Sequence, residues 1–234
     1  MALQERIIAC SSGPVVHRYL CHYKPKATGA DKLSESLLRF KCGHPVDLQA
    51  WTACAQASLA SILDQHTLLI RALSHQELIV VNPPYTSLDI LGSRLAHQCG
   101  CRYFPQGLVK QRSTLPLKTL SRDARKKELH QVYTIQYPLV SHSTSAILIL
   151  DDILTSGTTA CAILGALRAA GIRKPISVFT LAYTEKYIPL DDHLNLKSYT
   201  YQWDQASGWT QVEESVEYYG AVSRLKQKIL DDSF

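Results

Sequence analysis

Apolar positions along this chain fall into two periods. Short apolar runs at 78–81 (LIVV), 147–150 (ILIL) and 176–183 (ISVFTLAY) have the length and composition of strands buried on both faces. Between them the spacing is near-helical: over 48–62, then at Leu88, Ile90, Leu91, Leu95 and Ala96, and again over 159–170. Thr86 and Ser87 can cap the second helix, Gly100 stops it, and Gly171 stops the third. Asn82-Pro83-Pro84 ends the first apolar run, because proline has no N–H to give a ladder. Strands alternating with helices predict an α/β fold, a doubly wound and mostly parallel sheet.

The two ends read differently. Residues 13–45 mix Pro, Gly and Lys with short apolar pieces and predict small strand or helix elements. Beyond Thr184 the composition turns acidic and aromatic, with Tyr187, Tyr199, Tyr201, Trp203, Trp209, Tyr218 and Tyr219. Such rings need burial. A hairpin and a final helix over 212–230, packed on the core or on a second copy in a homodimer, would supply it. The expected division is therefore a domain at 1–184 and an appended unit at 185–234.

Composition narrows the class. Of 234 residues, 46% are hydrophobic and 19% charged, which is enough for a full core. Apolar runs stay well short of the ~20 residues that cross a bilayer, and the first ten residues lack a signal-peptide pattern. A cytoplasmic protein without a membrane partner is expected. Seven cysteines, an odd number with no Cys-x-x-Cys, suggest reduced thiols rather than a disulfide framework. Cys21-His22 with Cys42-x-His44 has poor spacing for structural zinc. Charge is concentrated: residues 110–131 hold seven basic and two acidic side chains and so supply the whole formal net charge of +5. Such a run is either a solvated face or an anion-directed loop.

The most specific chemistry lies at 146–159 (AILILDDILTSGTT). Ligands of open α/β sheets bind at the carboxyl ends of strands, and here the strand pattern ends in Asp151 and Asp152. Thr155, Ser156, Gly157, Thr158 and Thr159 follow, then a helix whose first N–H groups can bind phosphate. No Gly-Lys-[Ser/Thr] is present, so this is not a Walker-type loop.

This segment resembles the PRPP-binding motif of type I phosphoribosyltransferases, in which a hydrophobic strand ends in two acidic residues and enters a hydroxyl-rich loop. The resemblance implies that Asp151 and Asp152 hold the ribose hydroxyls of phosphoribosyl pyrophosphate (PRPP) and that residues 155–159 wrap its 5′-phosphate. Within that family the chain looks most like the competence protein ComF group. Lys110-Gln-Arg112-Ser-Thr114, Leu120-Ser121-Arg122-Asp-Ala-Arg125 and Tyr133 follow that group's pattern, as does the stretch from Leu37 to Gly43, although its Cys-rich zinc ribbon is missing.

The resemblance carries further expectations. Residues 1–45 would contribute hood elements that select the acceptor. Asn82, Pro83, Pro84 and Tyr85 would occupy the place of the pyrophosphate loop, although they bring no charge and few N–H donors. Residues 108–133 would form a lid whose Arg112, Arg122, Arg125 and Lys126 close over pyrophosphate as its charge develops. Mg²⁺ would be held by substrate oxygens together with Asp151 or Asp152. The implied reaction moves the phosphoribosyl group to a nitrogen acceptor and releases pyrophosphate. Purine-salvage members keep an Asp base where this chain has Thr155, so the acceptor would have to arrive already nucleophilic. The alternatives are an inactive PRPP- or nucleotide-binding regulatory module, and a DNA-uptake accessory protein that meets nucleic acid through residues 110–127.

Overall fold

The structure is a computed structural model and describes residues 2–25, 31–78, 86–116, 120–136, 139–184, 198–204 and 208–214. In chain order the elements are β1 (Gln4–Ile8), β2 (Val15–Tyr23), α1 (Lys32–Lys41), α2 (Pro45–Leu59), β3 (Thr67–Arg71), α3 (Ser87–Cys99), β4 (Arg102–Tyr103), β5 (Leu108–Lys110), α4 (Arg122–Glu128), β6 (Tyr133–Ile135), β7 (Ala146–Leu154), α5 (Thr158–Ala169), β8 (Ile176–Thr184), β9 (Ser198–Asp204) and β10 (Gly208–Glu214). Two compact units divide between Glu185 and Lys186.

In the first unit six strands form one sheet in the order β1-β2-β8-β7-β3-β4. Every pairing is parallel except β1 with β2. Alternate residues of the central strands enter two cores. Leu68, Ile70, Ile147, Ile149 and Val178 pack with Ile163, Leu164 and Leu167 of α5. Leu69, Leu148, Leu150, Phe179 and Leu181 pack with Leu37 and Phe40 of α1, Trp51 and Leu59 of α2, and Leu91 and Leu95 of α3. Because strand side chains alternate between faces, burying both faces demands the continuous apolar runs seen in the sequence. The fold is mixed α/β with a mostly parallel central sheet.

Local chemistry sets the helix ends. Thr86 caps α3 in a reciprocal capping box with Asp89, and Gly100 ends that helix at φ +67°. Asp31 caps α1 by accepting from the Ser34 N–H. Among the described residues no helix is long and apolar enough to cross a membrane.

Three expectations change. The buried strand before α3 is Thr67–Arg71, fully buried, whereas Leu78 is 45% exposed and the rest of the expected 78–81 strand lies outside the described residues. A run of three apolar residues between Thr and Arg carries little periodicity, yet β3 sits between β7 and β4 and is covered on both faces. Residues 1–45 contribute β1 and β2 to the main sheet, where β2 pairs in parallel with β8, together with α1. In the second unit β9 and β10 form an antiparallel hairpin with Trp203 opposite Trp209, and Val212 lies in β10 opposite Thr200 rather than opening a helix. The remainder of the expected helix lies outside the described residues. Finally, Cys10 and Cys161 are disulfide-bonded, so not all seven cysteines are thiols. A sequence separation of 151 hid the pair, and the fold brings their Cα atoms to 5.2 Å.

Candidate functional site

The sheet order reverses at β3. Its sequence successor β4 lies on one side, and β7 lies on the other. In open α/β sheets a crevice forms outside the carboxyl ends at such a switch point. A cavity of about 480 Å³ occupies this place, bounded by Arg71 and residues 72–75 after β3 and by Asp151 and Asp152 on β7. Lys41, Lys110 and Tyr133 complete the wall that faces the carboxylates.

Asp151 and Asp152 lie within β7, not after it. Each folds back onto the backbone: Asp151 accepts from the Asp152 N–H at 2.9 Å and Asp152 from the Ile153 N–H at 2.7 Å. The two differ in their surroundings. Lys41 Nζ at the end of α1 sits 2.5 Å from Asp152 Oδ2. Burial, and then the negative charge of Asp152, push the Asp151 carboxyl up to about 7. Burial works against the Lys41 charge, but Asp152 and Asp151 outweigh it and hold the ammonium above its ordinary value.

Beside Asp151 a smaller cavity of about 50 Å³ is lined by Arg125 and residues 153–160. That exceeds the roughly 10–15 Å³ of such space that one water molecule needs. Gly157 is the N-cap of α5 at φ +73°, a left-handed conformation that costs other residues energy. A Cβ there would also stand 3.0 Å from Ile8 Cγ2. Thr158 and Thr159 open the helix, and Ser156 Oγ lies 2.8 Å from Thr158 Oγ1. Because a glycine N-cap offers no side-chain acceptor, the first N–H groups of α5 remain donors for an anion.

The lid residues are distributed unevenly. β5 and β6 form a two-stranded antiparallel ribbon, with α4 between them in sequence. Arg125 reaches the small cavity. Arg112 instead donates to Glu128 Oε1 at 2.9 Å and to the Glu128 carbonyl at 2.7 Å, so the pair ties the chain after β5 to the end of α4. Lys126 is exposed and lines neither cavity. The Arg122 side chain lies outside the described residues, as do Asn82, Pro83, Pro84 and Tyr85.

Three groups lie beyond the candidate site residues expected from the sequence, although Lys110 and Lys41 fall in stretches that resemble the ComF-like pattern. Lys110 is 3% exposed; its ammonium donates to the Ser74 carbonyl and stands 5.6 Å from the Tyr133 ring centroid. Burial lowers it to about 8, against smaller opposing effects of Glu77 and Asp151. Lys41 belongs to the stretch that matched the ComF-like pattern, which was its only signal. Arg71 is buried, and its guanidinium donates to Asp89 at 2.5 and 3.1 Å and to Glu77 at 2.9 and 2.8 Å. Tyr103 adds a bond to Asp89 at 2.6 Å. No sequence motif marks this group.

Chemically the arrangement offers carboxylates for hydroxyls or a hard cation, a helix start for one anionic group, and ammonium groups for another. Among the described residues no three His, Cys, Asp or Glu side chains converge as a metal cage. Two adjacent carboxylates suit Mg²⁺ only where a ligand supplies most of the oxygens, which is the usual manner of Mg²⁺ binding. No protein-family model and no curated protein sequence matches this chain.

Proposed function

We propose that this protein binds PRPP and acts as a type I phosphoribosyltransferase-like protein that resembles the ComF group. The observation that carries the reading is the convergence of Asp151, Asp152 and the glycine-capped start of α5 at the carboxyl edge of β7, beside a cavity with ammonium groups. In this reading the α5 start and residues 155–159 hold the 5′-phosphate, with Arg125 beside it. Asp151 and Asp152 accept hydrogen bonds from the ribose hydroxyls. Lys110 and Lys41 face the pyrophosphate, and residues 72–75, which follow β3, take the place expected of the pyrophosphate loop.

Those roles account for transfer. Cationic groups fixed around the departing pyrophosphate stabilise its growing charge, and their enclosure in a cavity strengthens the effect. Asp151 or Asp152 would help to hold Mg²⁺, which would supply charge neutralisation on the same oxygens. Thr155 is too weak a base to activate an acceptor, which must bring its own nucleophilic nitrogen.

A second reading, a PRPP- or nucleotide-binding module without turnover, is favoured by the engagement of Arg112 with Glu128. Nucleic-acid binding through 110–127 is less well supported, because Lys110 is buried and Arg112 is paired. Titrating PRPP with Mg²⁺ by calorimetry into the wild type and an Asp151→Asn/Asp152→Asn variant tests the grip: the variant should lose at least tenfold in affinity, and equal heats would defeat the assignment. Pyrophosphate release across a panel of amines and bases then separates an enzyme from a module.

A further inference from the structure

The bond between Cys10 and Cys161 joins the β1–β2 connection to the first turn of α5. It is one of three contacts along a single stripe of that helix. A Cβ on Gly157 would lie 3.0 Å from Ile8 Cγ2, and a Cβ on Gly165 would lie 3.4 Å from Ser12 Oγ. Cys161 stands midway between those glycines, and Cys10 midway between Ile8 and Ser12. Four helical residues rise about 6 Å, and the Cys10 end of the connection closes in a turn, the Gly13 N–H donating to the Cys10 carbonyl at 3.0 Å. The stripe ends at Gly157, the N-cap that shapes the anion loop.

The segment that carries Cys10 is otherwise held by Ile8, buried in the core on the α5 side, and by the β1–β2 ladder. β1 is an edge strand, and its ladder partner in the sheet is β2. Both bonded cysteines are partly exposed, within reach of a small thiol. Among the remaining thiols, burial pushes Cys21 and Cys101 up to about 11 and raises Cys99 as well, which makes those three poor competitors for exchange, whereas Cys42 is exposed.

We propose that Cys10–Cys161 is a thiol–disulfide exchange site that sets the order of the anion loop. In the oxidised protein the bond pins the first turn of α5, so the loop is preorganised for a phosphate group. A dithiol reductant breaks the S–S bond in two steps. One reductant thiolate attacks a cysteine sulfur to form a mixed disulfide, and the second displaces it. Two electrons pass to the protein, leaving two thiols, and the reductant becomes its own disulfide. The α5 start is then held by packing alone and binds phosphate less tightly. The effect on binding rests on the function proposed above; the effect on loop order does not.

Two measurements test this. Peptide mapping under non-reducing conditions, after thiols are blocked, should recover residues 10 and 161 in one linked peptide; finding both alkylated in protein kept oxidised overturns the proposal. Amide hydrogen exchange should then show loss of protection at least tenfold over 157–161 when dithiothreitol is added, with β7 and β8 unchanged. No change at 157–161 overturns the latch, and so does equal loss throughout β7 and β8, which would mark a structural staple. A Cys10→Ser/Cys161→Ser variant should match the reduced protein and ignore the reductant; should it not fold, the reduced wild type still supplies the comparison. Ribose 5-phosphate affinity should fall about fivefold on reduction. Absence of ribose 5-phosphate binding in both states counts against the proposed function, while the exchange result still decides the latch.

Discussion

Lys41 Nζ stands 2.5 Å from Asp152 Oδ2 and thereby joins the end of α1 to the carboxylate pair of β7. The Asp152 side chain is 13% exposed and that of Lys41 59%, so water screens one partner far more than the other. A pair of this kind contributes about 1 kcal/mol or less. Its larger consequence is competition, because the oxygen that Lys41 holds is one that a cation would want.

Replacing Lys41 by Met should therefore make the protein more responsive to Mg²⁺. The expected outcome is a lower thermal midpoint for Lys41→Met without metal and a larger upward shift than the wild type shows in millimolar Mg²⁺. Equal shifts in both proteins would mean that Lys41 does not compete for Asp152.

Arg71 predicts the largest stability effect. Arg71→Met leaves Asp89 buried without its cation, a change that typically costs about 3–5 kcal/mol. Urea unfolding should show that loss, and an Arg71→Met/Asp89→Asn double variant should recover part of it. Burial pushes against ionisation of Asp89, but its bonds from Arg71 and Tyr103 prevail and hold the carboxyl below its ordinary value; Glu77 is held down likewise by Arg71 and the Ser74 N–H. The unfolded chain binds protons first on acidification, so this contribution is complete above the ordinary carboxylate range near pH 4 and disappears as pH falls through the lowered folded values. The stability difference between wild type and Arg71→Met should shrink over that range.

Lys110 predicts a pH dependence of the same sign in an alkaline window. Burial lowers its ammonium to about 8, so the folded protein releases this proton before the unfolded chain does. Between pH 8 and the ordinary lysine value of roughly 10.4, Lys110 makes stability rise with pH. Pyrophosphate in the cavity would favour the charged form. Calorimetry near pH 8.5 in buffers of different ionisation heat should therefore reveal proton uptake on pyrophosphate binding beyond that of a Lys110→Met variant. The same uptake in both proteins would exclude Lys110 from the anion site.

Gly157→Ala tests the loop itself. The left-handed φ alone costs a non-glycine residue about 1–2 kcal/mol, and the new methyl group would press on Ile8 Cγ2. A drop of that size in urea stability, together with weaker ribose 5-phosphate binding, is the expected result. An unchanged affinity would separate the turn from the anion site.

Much of the fold was legible because burial on both faces leaves a local signature. The runs at 147–150 and 176–183 and the helices after Thr86 and over 159–170 match β7, β8, α3 and α5 within a few residues. β3 was missed because its three apolar residues between Thr67 and Arg71 are too few to show a period, and only a place in the sheet distinguishes them from the neighbouring run at 78–81. The glycine-capped loop could be read in advance, since positive φ and helix starts depend on adjacent residues.

By itself the sequence determined the alternation of strands and helices, the position of Asp151 and Asp152 in the carboxyl half of a strand, and the hydroxyl loop that follows. These are short-range features, encoded by neighbours in the chain. Tertiary structure alone decided that Lys41 meets Asp152, that Arg71 reaches Asp89 from 18 residues away, that Arg112 turns to Glu128, and that Cys10 bonds Cys161. Each such contact depends on which strands are neighbours in the sheet or how the loops fold back, and the hydrophobic pattern can demand burial without naming the partner that supplies it.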